Sequence, residues 1–148
     1  MSRTHYLPEG LPLPIAERDG LSAPFWDGLK AEKLKVQFCD TCGAPQWGPE
    51  WICNHCHSFA MAWRDLAPLG TIYSWERVWH PSHPALADTC PYLVVLVAIS
   101  GCDGVRLIGN LLGDPRQDVS IGAAVEGVFE HHLTSVPAFT LLQWRLQP

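Results

Sequence analysis

Four of the six cysteines in this 148-residue chain form two Cys-x-x-Cys pairs, Cys39-Asp40-Thr41-Cys42 and Cys53-Asn54-His55-Cys56, with ten residues, Gly43 to Ile52, between them. A two-residue gap lets both sulfurs of a pair face one point, and Gly43 supplies the tight backbone turn after the second cysteine. Two facing pairs make a cage of four thiolates. That is the donor set a structural zinc ion takes in a closed tetrahedron, with sulfur at about 2.3 Å. A closed shell leaves no position for water or substrate, so the chemistry is structural and not catalytic. A rubredoxin-type iron site uses the same four sulfurs, and spacing alone does not separate the two metals; zinc is the expectation. Two disulfides would need an oxidising compartment, and a redox pair would need two cysteines, not four. His55 and His57 are read as solvated knuckle residues, because the cysteines already fill the shell. In a module this small such a site contributes on the order of 10 kcal/mol to folding.

The other reactive side chains do not form a catalytic set. Cys90 and Cys102 fall at a loop and a hairpin turn, where an unpaired cysteine is ordinarily a small apolar residue. His80 and His83 share a Pro-rich loop, and His131 and His132 end a strand; all four are expected to be structural or solvent-facing, not general bases. No Gly-rich phosphate loop is present. No catalytic residue is therefore assigned. Lys30, Lys33 and Lys35 crowd the end of a short helix, where cations suit the helix dipole. They are also the candidates for binding coenzyme phosphates.

Composition narrows the class. A hydrophobic content of 47% with seven tryptophans belongs to a packed protein. Ten basic against fifteen acidic side chains leave a net charge of −5, which does not suit a general nucleic-acid binder. No basic segment followed by an apolar core marks a signal peptide, and the longest apolar run, residues 92–99, is too short to span a bilayer. A cytoplasmic protein is expected.

Three segments follow along the chain: a Pro-rich arm over 1–21, a helix plus zinc ribbon over 22–66, and a barrel over 67–148. Pro8, Pro12 and Pro14 hold the arm extended, while Tyr6, Leu7, Leu11, Leu13 and Ile15 make it more apolar than a solvated tail requires. Ser22 caps a helix expected to run to about Lys35, with Phe25, Trp26 and Leu29 on one flank. Trp47, Trp51 and Trp63 are expected to cover the metal knuckles, since the ribbon has no other core. Beyond Pro68 the period changes to two. Strands are expected over 70–79, 92–100 (near-continuously buried), 105–112, 123–132 and 138–147, with Asp103-Gly104 turning the second into the third. In the fourth, Val125 and Phe129 face one side, and Glu126, Glu130 and His132 the other. Five strands with frequent turns and no long helix give a small closed barrel, and the fold class is mainly β.

This order of elements resembles the acyl-CoA-associated family of rubredoxin-like zinc ribbon plus OB-fold proteins, long catalogued as a domain of unknown function. The matching residues are Phe25-Trp26, Cys39-x-x-Cys42-Gly43, Pro49-x-x-x-Cys53-x-x-Cys56, Gly70-Thr-Ile-Tyr-Ser74, Pro91-Tyr92 and Ile121-Gly122 leading into Val125. The turn Ser100-Gly-Cys-Asp-Gly104 departs from the acidic-Gly turn of that family. The resemblance implies an accessory subunit, inactive alone, of a thiolase-fold enzyme acting on acyl-CoA: a thiolase or a steroid side-chain aldolase. It implies a heterotetramer in which the partner holds most of the acyl-CoA. With no hydratase module attached here, the enzyme would be a separate polypeptide. A partner of an enoyl-CoA hydratase, or a standalone acyl-CoA binder, is the alternative. Aromatic anchors at Phe25, Trp26 and Trp79 are expected at the interface. A single-strand nucleic-acid reader using Tyr73, Trp75 and Trp79 is disfavoured. Arg77, Arg106, Arg116 and Arg145 are outnumbered by Glu76, Asp88, Asp103, Asp114, Asp118, Glu126 and Glu130.

Overall fold

A computed structural model describes Pro8 and residues 10–16 and 19–148. The Tyr6 and Leu7 of the arm lie outside the described residues. Helix α1 spans Ala23–Lys30, with Ser22 at the N-cap position but making no side-chain cap bond. It is shorter than the expected run to Lys35, and its end explains why. Glu32 adopts a left-handed φ of 56°, Lys33 N–H donates to Gly28 O at 2.8 Å, and Glu32 N–H donates to Leu29 O at 3.0 Å. That pair of bonds is a Schellman stop. It works without the usual glycine, so the sequence carried no visible stop signal. Gly28 belongs to the same motif: a Cβ there would lie 2.9 Å from Lys33 O. Lys33 and Lys35 therefore sit beyond the helix.

The ribbon is a three-stranded antiparallel sheet in the order β2–β1–β3, made of β1 Leu34–Cys39, β2 Pro45–Gln46 and β3 Met61–Leu66. Strand β1 pairs with β3 from Leu34↔Leu66 to Cys39↔Met61. After two residues the chain enters the barrel strands β4 Leu69–Val78, β5 Tyr92–Ile99, β6 Arg106–Asn110, β7 Ala124–His132 and β8 Phe139–Leu146. Their order is β6–β5–β4–β7–β8, all antiparallel neighbours. A parallel bridge, Leu111↔Trp144, with Leu112 N–H on Trp144 O at 2.7 Å, closes the sheet on itself. This is the five-stranded partly open barrel of the OB fold. The register between β4 and β5 shifts between Ile72 and Ser74, so Tyr73 is the extra residue of a bulge, which bends the strand for closure.

Strand β5 is buried on one face only. Leu93, Val95, Val97 and Ile99 enter the core, while Tyr92, Val94, Leu96 and Ala98 are half-covered. The alternation replaces the continuous burial expected for this run. On β8, Leu142 and Trp144 are buried, with Leu146 packed against them. Trp144 fits because residue 109 is glycine: a Cβ there would come within 2.9 Å of the indole. The ribbon has no separate core. Phe25, Leu29, Leu34, Val36 and Phe38 belong to one cluster with Ile72, Val95, Val97, Leu107, Val125 and Trp144. Within β7, Glu130, on the face opposite Val125, is only 5% exposed, and its carboxylate accepts from His132 Nε2 at 2.7 Å and Gln143 Nε2 at 3.2 Å.

Candidate metal centre and the surfaces around it

The four expected ligands converge. The sulfurs of Cys39, Cys42, Cys53 and Cys56 all lie within 4.8 Å of one another, with Cys39–Cys56 at 3.5 Å and Cys42–Cys53 at 3.7 Å. A tetrahedron with Zn–S of about 2.3 Å has edges of about 3.8 Å, so the cage fits zinc. The two knuckles repeat one backbone pattern. Gly43 N–H donates to Cys39 O and Cys39 N–H to Ala44 O; His57 N–H donates to Cys53 O and Cys53 N–H to Ser58 O. Gly43 (φ 75°) and His57 (φ 60°) occupy equivalent left-handed positions. His57 is thus the turn residue of the second knuckle, a role glycine signals in the first and histidine hides in the second. Thr41 and Ser58 hydroxyls join the knuckles at 2.7 Å.

The electrostatics call for a cation. The Cys42 N–H, with that of Thr41, stabilises the Cys39 thiolate and lowers its pKa to about 6. Cys53 is lowered as well, first by the Cys56 N–H. At Cys56 the Ser58 N–H favours the thiolate, yet desolvation and the other three sulfurs push the pKa up to about 12. Four sulfurs this close cannot all ionise by themselves; a dication lets them.

Two buried glutamines shape the loop before the second knuckle. Gln37 donates to Glu50 O and accepts from Glu50 N–H, and Gln46 donates to Ile52 O and accepts from Asn54 N–H. With the loop held this way, Trp51 is 61% exposed and does not cover the metal. Trp47 and Trp63 instead pack against the common core.

The remaining candidates are dispersed. Lys33 and Lys35 both pair with Asp65, at 3.2 and 2.7 Å, and Lys30 pairs with Asp27 at 3.5 Å. The Lys35 and then the Lys33 ammonium hold the Asp65 pKa below its ordinary value. Phe25 is corrected from surface anchor to core residue: it is 9% exposed, with ring centroids 5.3 Å from Trp26 and 4.7 Å from Trp47. Trp26 is half-buried, and Trp79 is 52% exposed with the Arg116 guanidinium over its ring. The other barrel arginines are also engaged. Arg77 donates to Pro115 O and Gln117 O, Arg106 lies over Tyr73, and Arg145 pairs with Glu126.

Two of the described histidines are held by separate partners. His83 Nδ1 accepts from Ala85 N–H, and His131 bridges Glu32 and Thr140 at 3.0 and 2.9 Å. Burial, and then the charge of Asp103, push the Cys102 thiol up to about 11, which disfavours its thiolate.

A four-cysteine ribbon sharing its core with an OB barrel defines a class of zinc ribbon–OB proteins. Residues 26–62 match the family model described as the ChsH2 rubredoxin-like zinc ribbon domain, and residues 63–130 that of the ChsH2 C-terminal OB-fold domain. The chain belongs to the ChsH2 family. A solved structure described as the Ltp2-ChsH2(DUF35) aldolase superposes with a TM-score of 0.74 at 30% identity, covering 90% of this chain and 98% of that one. A DUF35-family protein of unknown function from Sulfolobus solfataricus shares the fold, with a TM-score of 0.59 at 18% identity over 86% of this chain and 85% of that one. Two curated relatives are hydratase alpha subunits. A probable enoyl-CoA hydratase alpha subunit of Thermomonospora curvata is 34% identical over 83% of this chain and 37% of its own length. The 3-oxo-4,17-pregnadiene-20-carboxyl-CoA hydratase alpha subunit of Mycobacterium tuberculosis is 28% identical over 93% of this chain and 40% of its own. The chain thus spans about two fifths of those relatives. Among the described residues no helix is long and apolar enough to cross a membrane.

Proposed function

We propose that this chain is a non-catalytic accessory subunit of a thiolase-fold enzyme that makes or breaks a carbon–carbon bond in an acyl-CoA. The observation that carries this reading is the match to the ChsH2 chain of an aldolase, which spans 98% of that chain. The four-cysteine cage, a closed shell with no position left for substrate, supports a scaffolding role for the ribbon. The engaged arginines argue against a nucleic-acid groove. Two copies on a partner dimer, a heterotetramer, is the expected assembly, since a two-fold core presents each patch twice. Trp79, Trp26 and the exposed Leu13 and Ile15 of the arm are the contacts. Most of the acyl-CoA is held by the partner. Lys30 is the freest of the three lysines for a coenzyme phosphate, whereas one reaching Lys33 or Lys35 would have to displace Asp65. The names of the hydratase alpha subunits favour a second reading, in which the partner is an enoyl-CoA hydratase.

The test is to isolate the tagged chain from its own host, identify the bound subunit by mass spectrometry and assay both parts. An acyl-CoA enzyme should co-purify, and the chain alone should be inactive. Trp79→Ala should weaken assembly, whereas single replacement of His80, His83 or His132 should leave turnover within about tenfold, less than the 10²–10⁴ of a lost general acid or base. Turnover of an acyl-CoA by the isolated chain would overturn the proposal.

A further inference from the structure

The outer wall of the barrel holds a cavity of about 350 Å³ where β6 meets β8. This size lies at the lower end of the range for small-molecule sites. Leu11 of the arm, Leu86 of the 3₁₀ turn Pro84–Thr89, Val94, Ile108 and Leu141 give it an apolar wall, and among the described residues no Lys, Arg, Asp, Glu or His lines it. Two of its polar residues, Asn110 and Gln143, are bonded to each other. The Gln143 carboxamide is fixed at both ends: Oε1 accepts from Asn110 N–H at 2.7 Å, and one Nε2 hydrogen goes to the buried Glu130 carboxylate at 3.2 Å. The bond from the main-chain donor sets the orientation of this amide, so Gln143 has one N–H left to donate. Asn110 Nδ2 is spent on Leu93 O at 3.1 Å, and the Thr89 hydroxyl on Leu86 O at 2.8 Å. Tyr92, half-buried, also lines the cavity.

A buried glutamine held against a buried carboxylate is a costly way to line a surface depression, and it leaves a pre-oriented donor beside apolar walls. We infer that this cavity is a binding site for a neutral, largely apolar molecule carrying one ketone or hydroxyl oxygen, with that oxygen accepting from Gln143 and Tyr92. The described lining favours a neutral ligand over a charged one. Among the described residues no lining side chain neutralises an anion, and the Glu130 carboxylate, behind Gln143, is already engaged by His132 and Gln143. The site is independent of which enzyme the chain assembles with.

The experiment is a titration of the ¹⁵N-labelled, zinc-loaded chain with 2-decanone, decanoate and decylamine, followed through the Gln143 side-chain and Gly109 backbone amides. The ketone should shift both signals in a saturable way, with decanoate and decylamine at least about tenfold weaker. Ile108→Trp, at a position 71% exposed and so tolerant of bulk, should narrow the mouth and weaken the ketone at least about tenfold. Tyr92→Phe should weaken it severalfold without altering thermal stability. Equal binding of decanoate, shifts confined to other residues, or no saturable shift with any probe would each overturn the inference. A failure of partner capture would leave this result unaffected.

Discussion

Cys42→Ser isolates the contribution of the metal. Cys42 is the outward ligand of the first knuckle, exposed where Cys39 and Cys53 are buried, so exchanging sulfur for oxygen removes a ligand and almost no packing. Structural zinc contributes on the order of 10–16 kcal/mol in isolated ribbons, and nothing local replaces it. Across residues 40–60 only Gln46 and Cys53 are buried. Strand β1 differs, since Leu34, Val36 and Phe38 belong to the common core. The variant should therefore lose its zinc and melt from Asp40 to Ala60, with β1 remaining on the barrel. Hydrogen exchange reads this directly. The Gly43, Cys53 and His57 amides, bonded across the knuckles, should lose at least about 10³-fold in protection, equivalent to about 4 kcal/mol. Leu111, Leu112 and Gly127 in the barrel should change by less than about tenfold. Emission from Trp47 should shift to the red, while the already exposed Trp51 stays silent. Knuckle protection that survived in the zinc-free variant would refute a structural metal, and simultaneous collapse of the barrel amides would refute the division of labour.

Two further outcomes are expected. His57→Gly should raise stability by up to about 1 kcal/mol at saturating zinc, because it removes left-handed strain, less the chain entropy of glycine; His57→Val should lower it, and zinc content should stay at about one in both. A rise with His57→Val would contradict the turn assignment. Asp65 has a folded pKa below its unfolded value, so its pairing stabilises above the unfolded pKa near 3.8 and is lost as the pH falls through the lower folded pKa. Asp65→Asn should therefore lower the urea midpoint at pH 7 by an amount that shrinks as the pH falls through the folded pKa, and an equal loss at pH 7 and in strong acid would show that the lysine pairs are not the cause.

The metal site was legible because ligand chemistry demands fixed spacing, and the barrel strands because period-two burial repeats over several residues. What escaped depended on contacts distant in sequence. The left-handed stop at Glu32 has no glycine to announce it, and its carboxylate is held by His131 from β7. Phe25 looked like a surface aromatic because nothing local shows that Trp47 packs against it. Alternation put Glu130 opposite Val125 but could not show its burial, since a glutamine thirteen residues on and a histidine two residues on satisfy it in the interior. Trp51 was placed over the metal because the two glutamines that fix its loop give no periodic signal.

Pro68 O accepts from Gly127 N–H at 2.7 Å, and only Ala67 and Pro68 separate the last ribbon strand from the first barrel strand. With a core continuous across that junction, the molecule behaves as a set-square. The shared core and the two-residue connection oppose rotation of the metal tip against the barrel wall. A protein that grips the barrel therefore receives the tip at a set distance and bearing, and spends no tether entropy in orienting it.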